Sequence, residues 1–273
     1  MNIKEVQDRS FEILCIIDDI CKKEGIPYFL DGGTELGAVR EKDIIPWDDD
    51  IDIKLDWKYY PAFREAMKRE LPTHLHLVEP DAFAPSFYDF TIRILDDRFL
   101  LRKETGEDRY YKNLQNRVGV DVFVLFKIPE RGIKRTIAYY RMKLIYGKGM
   151  GHRRKLDYKE YSTAEKCGVL IMSTIGKMIP AEKTCKHFFK VIDKMHKKPY
   201  TALWCNILTP WCIIPSEWMN ETTTALLRGR EFPIPKKYDL ELRAYYGDYM
   251  TPRKDPTFHQ HLDAEDREVN NVL

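Results

Sequence analysis

Asp48, Asp49, Asp50 and Asp52 put four carboxylates within five positions, directly after Pro46 and Trp47. Ile51, Ile53 and Leu55 alternate with Asp50, Asp52 and Lys54, which is the period of a strand. Asp50 and Asp52 are therefore expected on one face, with Asp48 in line and Asp49 opposite. Two carboxylates about 5 Å apart repel by roughly 3 kcal/mol at an effective dielectric near 20. A cation between them relieves that repulsion. A divalent metal, Mg²⁺ or Mn²⁺, is the natural candidate, because hard cations take carboxylate oxygens.

Other readings of the acidic run stand beside this one. A solvated acidic loop is the usual fate of a charge run, but such loops do not place β-branched residues between the charges. A calcium loop of the EF-hand kind starting at Asp48 needs glycine sixth and glutamate twelfth, where this chain has Ile53 and Tyr59. The Asp-x-Asp of a nucleotide-sugar glycosyltransferase normally follows a sizeable nucleotide-binding half-domain, and only 47 residues precede Asp48. Upstream, Gly32-Gly33-Thr34 reads as a glycine turn opening a helix. Glycine allows close backbone approach, and a helix N-terminus offers unpaired N–H groups to phosphate.

Taken together, Tyr28-Phe29-Leu30-Asp31-Gly32-Gly33-Thr34-Glu35-Leu36-Gly37-Ala38-Val39-Arg40, followed by Ile45-Pro46-Trp47-Asp48-Asp49-Asp50-Ile51-Asp52, resembles the signature of the LicD family. That resemblance implies phosphotransferase activity and the nucleotidyltransferase fold. The family includes bacterial phosphocholine transferases and, more distantly, fukutin-type ribitol-phosphate transferases. Its members carry an aspartate, an apolar residue and phenylalanine further on, which Asp121-Val122-Phe123 matches; the proline usually found next is Val124 here. Asp121 also interrupts the apolar run from Val118 to Phe126, and a buried carboxylate is costly unless paired or metal-bound. The plainer reading is an aspartate at a strand end capping a nearby helix.

The resemblance implies transfer of a substituted phosphate from a CDP-activated donor to a sugar hydroxyl, with release of CMP. Phosphocholine is the first expectation, with ribitol or glycerol phosphate behind it. Asp50 and Asp52 would hold Mg²⁺ on the diphosphate, and Asp121 would complete the metal site or take the acceptor proton. Gly32, Gly33 and Thr34 would cradle phosphate near Asp48, and Arg40 and Arg93 would pair with phosphate oxygens. Two alternatives remain open: nucleotidyl transfer from an NTP, and a non-catalytic glycan- or membrane-binding module.

The elements that must position these residues are legible from spacing. Residues 3–24 read as an amphipathic helix ended by Gly25 and barred by Pro27. Tyr28-Phe29-Leu30 is a short strand, Tyr60 to Leu71 a helix with Pro61 in its first turn, and residues 91–96 and 118–126 alternate as strands. Pro235 is expected to open a closing helix that Gly247 caps. The fold expected is α/β: a small mixed sheet flanked by helices, with a mainly helical C-terminal extension. A catalytic core over 1–130 would carry a packed region over 131–273.

Composition bounds the rest. The chain has 273 residues and net charge +2, but residues 131–159 hold ten Lys/Arg against Asp157 alone. There, Ile133, Ile137, Tyr140 and Leu144 follow helical spacing, so the stretch reads either as a surface for an anionic membrane or glycan or as a solvated helix. No aromatic-basic pattern suggests nucleic acid. The start of the chain has no signal-peptide pattern and no apolar run is long enough to span a bilayer, which points to a cytoplasmic protein, peripheral at the inner membrane face. The six cysteines lack Cys-x-x-Cys spacing and read as free core thiols, Trp204, Trp211 and Trp218 as core, and His259 and His261 as surface residues.

Overall fold

A computed structural model describes residues 1–156, 161–204 and 213–252. Trp211, Cys205, Cys212, Asp157, Lys159, His259 and His261 lie outside these residues. Helix α1 (Ile3–Glu24) begins with a capping box, in which the Asn2 side chain accepts from the Glu5 N–H and Glu5 answers the Asn2 N–H. It ends at Gly25, held at φ +64°, where a side chain would be strained. Its apolar stripe of Val6, Ile13, Leu14, Ile17 and Ile20 is buried against the sheet.

The central sheet runs β1 (Phe29–Leu30), β2 (Asp52–Asp56), β5 (Arg117–Ile128), β4 (Ile92–Leu100), β3 (Leu75–Val78) in spatial order. Only the β2–β5 pair is parallel, so the sheet is mixed. Helix α2 (Gly32–Arg40) and helix α3 (Tyr60–Glu70) join its early strands, and α4 (Gly106–Tyr110) lies between β4 and β5. The twelve residues of β5 make it the spine. Val118, Val120, Val122 and Val124 fill the main core together with Ile92, Ile94, Ile53 and Leu55. Each such burial is worth about 1.5–3 kcal/mol. Strict alternation then leaves Asp52, Lys54, Arg93 and Asp121 together on the other face.

The C-terminal half carries α5 (Gly132–Met150), α6 (Thr163–Lys177), α7 (Ala181–His196) and α8 (Tyr238–Tyr246). It also extends the sheet: β6 (Ala202–Trp204) pairs with the end of β5, and β7 (Ile214–Pro215) with β6. A separate hairpin of β8 (Thr222–Leu227) and β9 (Arg230–Pro235) precedes α8. The sheet flanked by helices is as the sequence suggests, with three differences. Pro235 closes β9 and does not open α8, which starts at Tyr238. The stripe Ile133, Ile137, Tyr140, Leu144 lies on a helix as predicted but is exposed, while Ala138, Met142, Ile145 and Tyr146 face the core. Among the described cysteines, Cys21 and Cys185 are buried free thiols, whereas Cys167 is exposed. Trp204 is fully buried, and Trp218 packs beside Leu203 and Ile214.

Candidate active site

Strand β2 starts at Asp52, so Asp50 sits in the approach to the strand and not on it. Pro46 and the three successive like charges of Asp48 to Asp50 precede the first inter-strand bond. The register then brings the site together. Asp52 stands opposite Asp121, and the Asp121 N–H donates to the Ile51 carbonyl at 2.9 Å. On the other side of β5, Arg93 stands opposite Asp121, and its Nε lies 3.2 Å from Asp121 Oδ1. Arg93 also forks onto Asp89, at 2.9 and 2.6 Å. Arg93 is thus tied to two carboxylates, and both hold its guanidinium well above its usual range despite burial.

The glycine turn locks against this edge. The Asp31 N–H donates to the Asp52 carbonyl at 3.0 Å, and the Asp52 N–H donates to Thr34 Oγ1 at 2.9 Å. Thr34 therefore holds α2 on β2 through its hydroxyl. A Cβ on Gly33 would sit 2.4 Å from Asp48 Oδ2, closer than any side chain permits. Gly32 has φ +53°, and a Cβ there would come within 3.4 Å of Asp52 Oδ2. The Asp31 side chain makes no cap bond to α2, so no carboxylate caps the first-turn N–H groups from that position. Arg40 lies at the far end of α2, about 12 Å along its axis from Gly32. It bonds Glu41 and the Tyr249 carbonyl there and is not brought to the carboxylates.

The electrostatics are those of crowded acids. Burial comes first and then Asp50 and Asp49, and together they push Asp48 up to about 10. Asp48 Oδ2 is buried without a hydrogen-bond donor. Asp52 is also driven well upward, by burial and then by Asp50, Asp121, Asp31 and Asp48. A cleft opens beside this edge, lined by Asp49, Asp50, Arg93, Asp121, Tyr88 and Gln115, with Arg117 and Gly119 at its side.

Directly behind, Lys54 is fully buried with Nζ 3.0 Å from Asp31, 2.9 Å from Glu35 and 2.6 Å from Glu241. Among the described residues, Asp31, Glu35 and Glu241 are the one acidic group whose carboxylate oxygens lie within 4.8 Å of each other. The Lys54 ammonium already serves that group. Asp50, Asp52 and Asp121 do not converge that closely. Sequence reading missed the Lys54 group, the Asp89 partner and the cleft residues Tyr88, Gln115 and Arg117. A signal was present for Lys54, since it shares the strand period of Asp52 and a lone lysine among buried positions demands partners.

The family model described as "LicD/FKTN/FKRP, nucleotidyltransferase domain" matches residues 25–148. The chain carries a LicD-family domain. That domain holds the glycine turn, the acidic edge, Arg93 and Asp121. The whole chain is 25% identical to the lipopolysaccharide cholinephosphotransferase LicD of Haemophilus influenzae, over 97% of this chain and 98% of that protein. The similarity thus runs past the LicD-family domain into α6, α7 and α8. Glu241, which reaches back into the LicD-family domain, lies in that outer portion.

Proposed function

We propose that the protein transfers a substituted phosphate, phosphocholine from CDP-choline, to a sugar hydroxyl of a cell-surface glycan or its lipid-linked precursor, releasing CMP. The observation that carries this is the pair of Asp50 and Asp121 lining a cleft, with Asp52 in register beside Asp121, within a LicD-family domain. The name of the Haemophilus relative supports choline phosphate as the group and lipopolysaccharide as the kind of acceptor.

Phosphoryl transfer asks a protein mainly for positioning and charge neutralisation. The buried Asp48 and half-buried Asp52 carboxylates, crowded by their acidic neighbours, fit a bound divalent cation, which Asp50, Asp52 and Asp121 would hold. When bound, Mg²⁺ or Mn²⁺ would neutralise the donor diphosphate. The Gly33 and Thr34 N–H groups, at the positive end of α2, face phosphate oxygens in this reading. Arg93 orients Asp121 through its Nε and is itself anchored by Asp89, so Asp121 keeps one aim as it accepts the acceptor hydroxyl proton or a metal bond. Arg40, engaged at the other end of α2, serves the fold around Tyr249 and not the donor.

The test is incubation with CDP-choline, CDP-ribitol, CDP-glycerol or CTP, with and without Mg²⁺, in the presence of a glycan acceptor. CMP should appear from CDP-choline together with acceptor-bound phosphocholine. Faster CMP release from CDP-ribitol or CDP-glycerol would reassign the group. Pyrophosphate from CTP would favour nucleotidyl transfer instead.

A further inference from the structure

Helix α5 turns Ala138, Met142, Ile145 and Tyr146 to the core. Gly147 and Gly151 lie on its other side at 3.6 residues per turn, and α6 packs there. A Cβ on Gly147 would meet Met172 at 3.0 Å, and one on Gly176 would meet the Lys148 carbonyl oxygen at 2.0 Å. These glycines let the two helices touch by their backbones. Helix α6 is thus an outer layer over α5. Its own contact side holds Met172, Ser173 and Gly176, and its far side holds Leu170, Ile171, Ile175 and Met178. Those four are 58%, 59%, 41% and 84% exposed. Ile133, Ile137 and Tyr140 of α5, on the same outward side, are 72%, 61% and 59% exposed. Single apolar side chains on a surface are ordinary, but seven large ones exposed on two packed helices mark an interaction surface.

The surroundings of that surface are basic. Residues 131–155 hold nine Lys/Arg and no Asp or Glu. Arg131, Lys134, Arg141 and Lys143 are exposed beside the α5 stripe. On α7, burial and then Arg141, Lys148, Lys190 and Lys194 hold His187 below its usual range, so the positive field spans both helices. This charge selects the partner. A second copy would bring one basic face against another, whereas a bilayer of anionic lipids offers phosphates around an apolar interior. No helix among the described residues is long and apolar enough to cross a membrane, so the contact would lie in the plane of the surface.

We propose that α5 and α6 form a docking face for an anionic lipid bilayer, with Ile171, Ile175 and Met178 entering the headgroup boundary and the α5 cations pairing with lipid phosphates. The face is joined to the cleft: Gly149 packs on Phe87, and Arg153 donates to the carbonyl of Tyr88, which lines the cleft. Docking would therefore hold the cleft at a fixed aspect to lipid-borne acceptors. The inference goes beyond the transfer reaction and is read without donor or acceptor.

The test is co-sedimentation of the full chain with phosphatidylcholine vesicles, alone or with phosphatidylglycerol, at low and high salt. Wild type should sediment with the anionic vesicles and be released by salt. Each of Arg131→Gln, Lys134→Gln, Arg141→Gln and Lys143→Gln should weaken low-salt binding by about fivefold. The triple change Ile171→Ser, Ile175→Ser, Met178→Ser should abolish binding while leaving the melting curve and turnover of a soluble acceptor intact, because these side chains are outside the core. Absence of wild-type binding, or equal binding by the triple variant, overturns the proposal. So does a wild-type dimer by light scattering that the triple variant converts to monomer, since the face would then belong to a second copy.

Discussion

Two acidic clusters share one face of the same strand, and they are solved in opposite ways. Around Lys54, the carboxylates of Asp31, Glu35 and Glu241 converge on an ammonium supplied by the chain, and the group is sealed from water. Two residues earlier, Asp52 stands in register with Asp121, which together with Asp50 lines a cleft, and Arg93 pairs with Asp121 there. A built-in cation closes the first cluster and makes it part of the fold. The second pairs Asp121 with Arg93 at a cleft that a ligand can enter. Enclosure separates the two: one cluster is closed by the fold and the other borders solvent.

The largest effect should come from breaking the closed cluster. Lys54→Met removes the cation from three buried carboxylates and should cost about 3–5 kcal/mol of stability, measured by urea denaturation. Glu241→Gln should cost much less, because it lowers a net negative charge and keeps a hydrogen-bonding group. If both substitutions cost the same, the cluster is not organised around Lys54.

Asp52→Asn attacks the open cluster. Transfer should fall by more than about a hundredfold, beyond what outer-shell partners of a metal cost. Stability without metal should hold or rise, since one of several repelling charges is gone. Normal turnover in this variant would remove Asp52 from the site.

Gly33→Ala probes the seam between turn and edge. Its Cβ would press on Asp48 Oδ2, so the variant should lose about 1–3 kcal/mol. The added Asp48→Ala change should restore most of that loss in a double-mutant cycle.

The smallest effect is a pH dependence. Asp48 has an ordinary value of 3.8 and sits at about 10 in the folded chain. Between those values the folded protein holds a proton that the unfolded chain releases. Stability from this group therefore falls as pH rises through the window and is regained toward its acid end. In EDTA, Tm should be higher at pH 6.8 than at pH 7.5 by about 2–4 °C, since one proton over that interval is worth about 1 kcal/mol in a chain of this size. Mg²⁺ should reduce the difference by stabilising ionised carboxylates at the higher pH. Parallel profiles with and without Mg²⁺ would mean that the open cluster does not bind it.

Much of this arrangement was legible because strand alternation carries it. Asp52 beside Ile53, and Asp121 between Val120 and Val122, declare which face is core from residue type alone. The helix at residues 3–24 and its glycine stop were equally plain, because capping chemistry is local. What did not show was long-range. Nothing near Lys54 names Glu241 as its partner, nothing near Arg93 says that Asp89 will take its fork, and α5 gives no sign that its most regular stripe faces outward. An amphipathic period reports that two sides differ, not which one the core will choose. The β8–β9 hairpin was hidden by Pro235, which the sequence suggests as a helix opener and the structure uses to close a strand of a two-stranded sheet.

The bond from Lys54 to Glu241 spans 187 residues. A ribosome adding roughly 5–20 residues per second needs about 10–40 s to make that stretch. Through that interval the nascent chain holds Lys54 with its last carboxylate partner not yet synthesised. The buried charge on β2 thus cannot be fully matched until Glu241 has been made, so this cluster closes only after the LicD-family domain is complete.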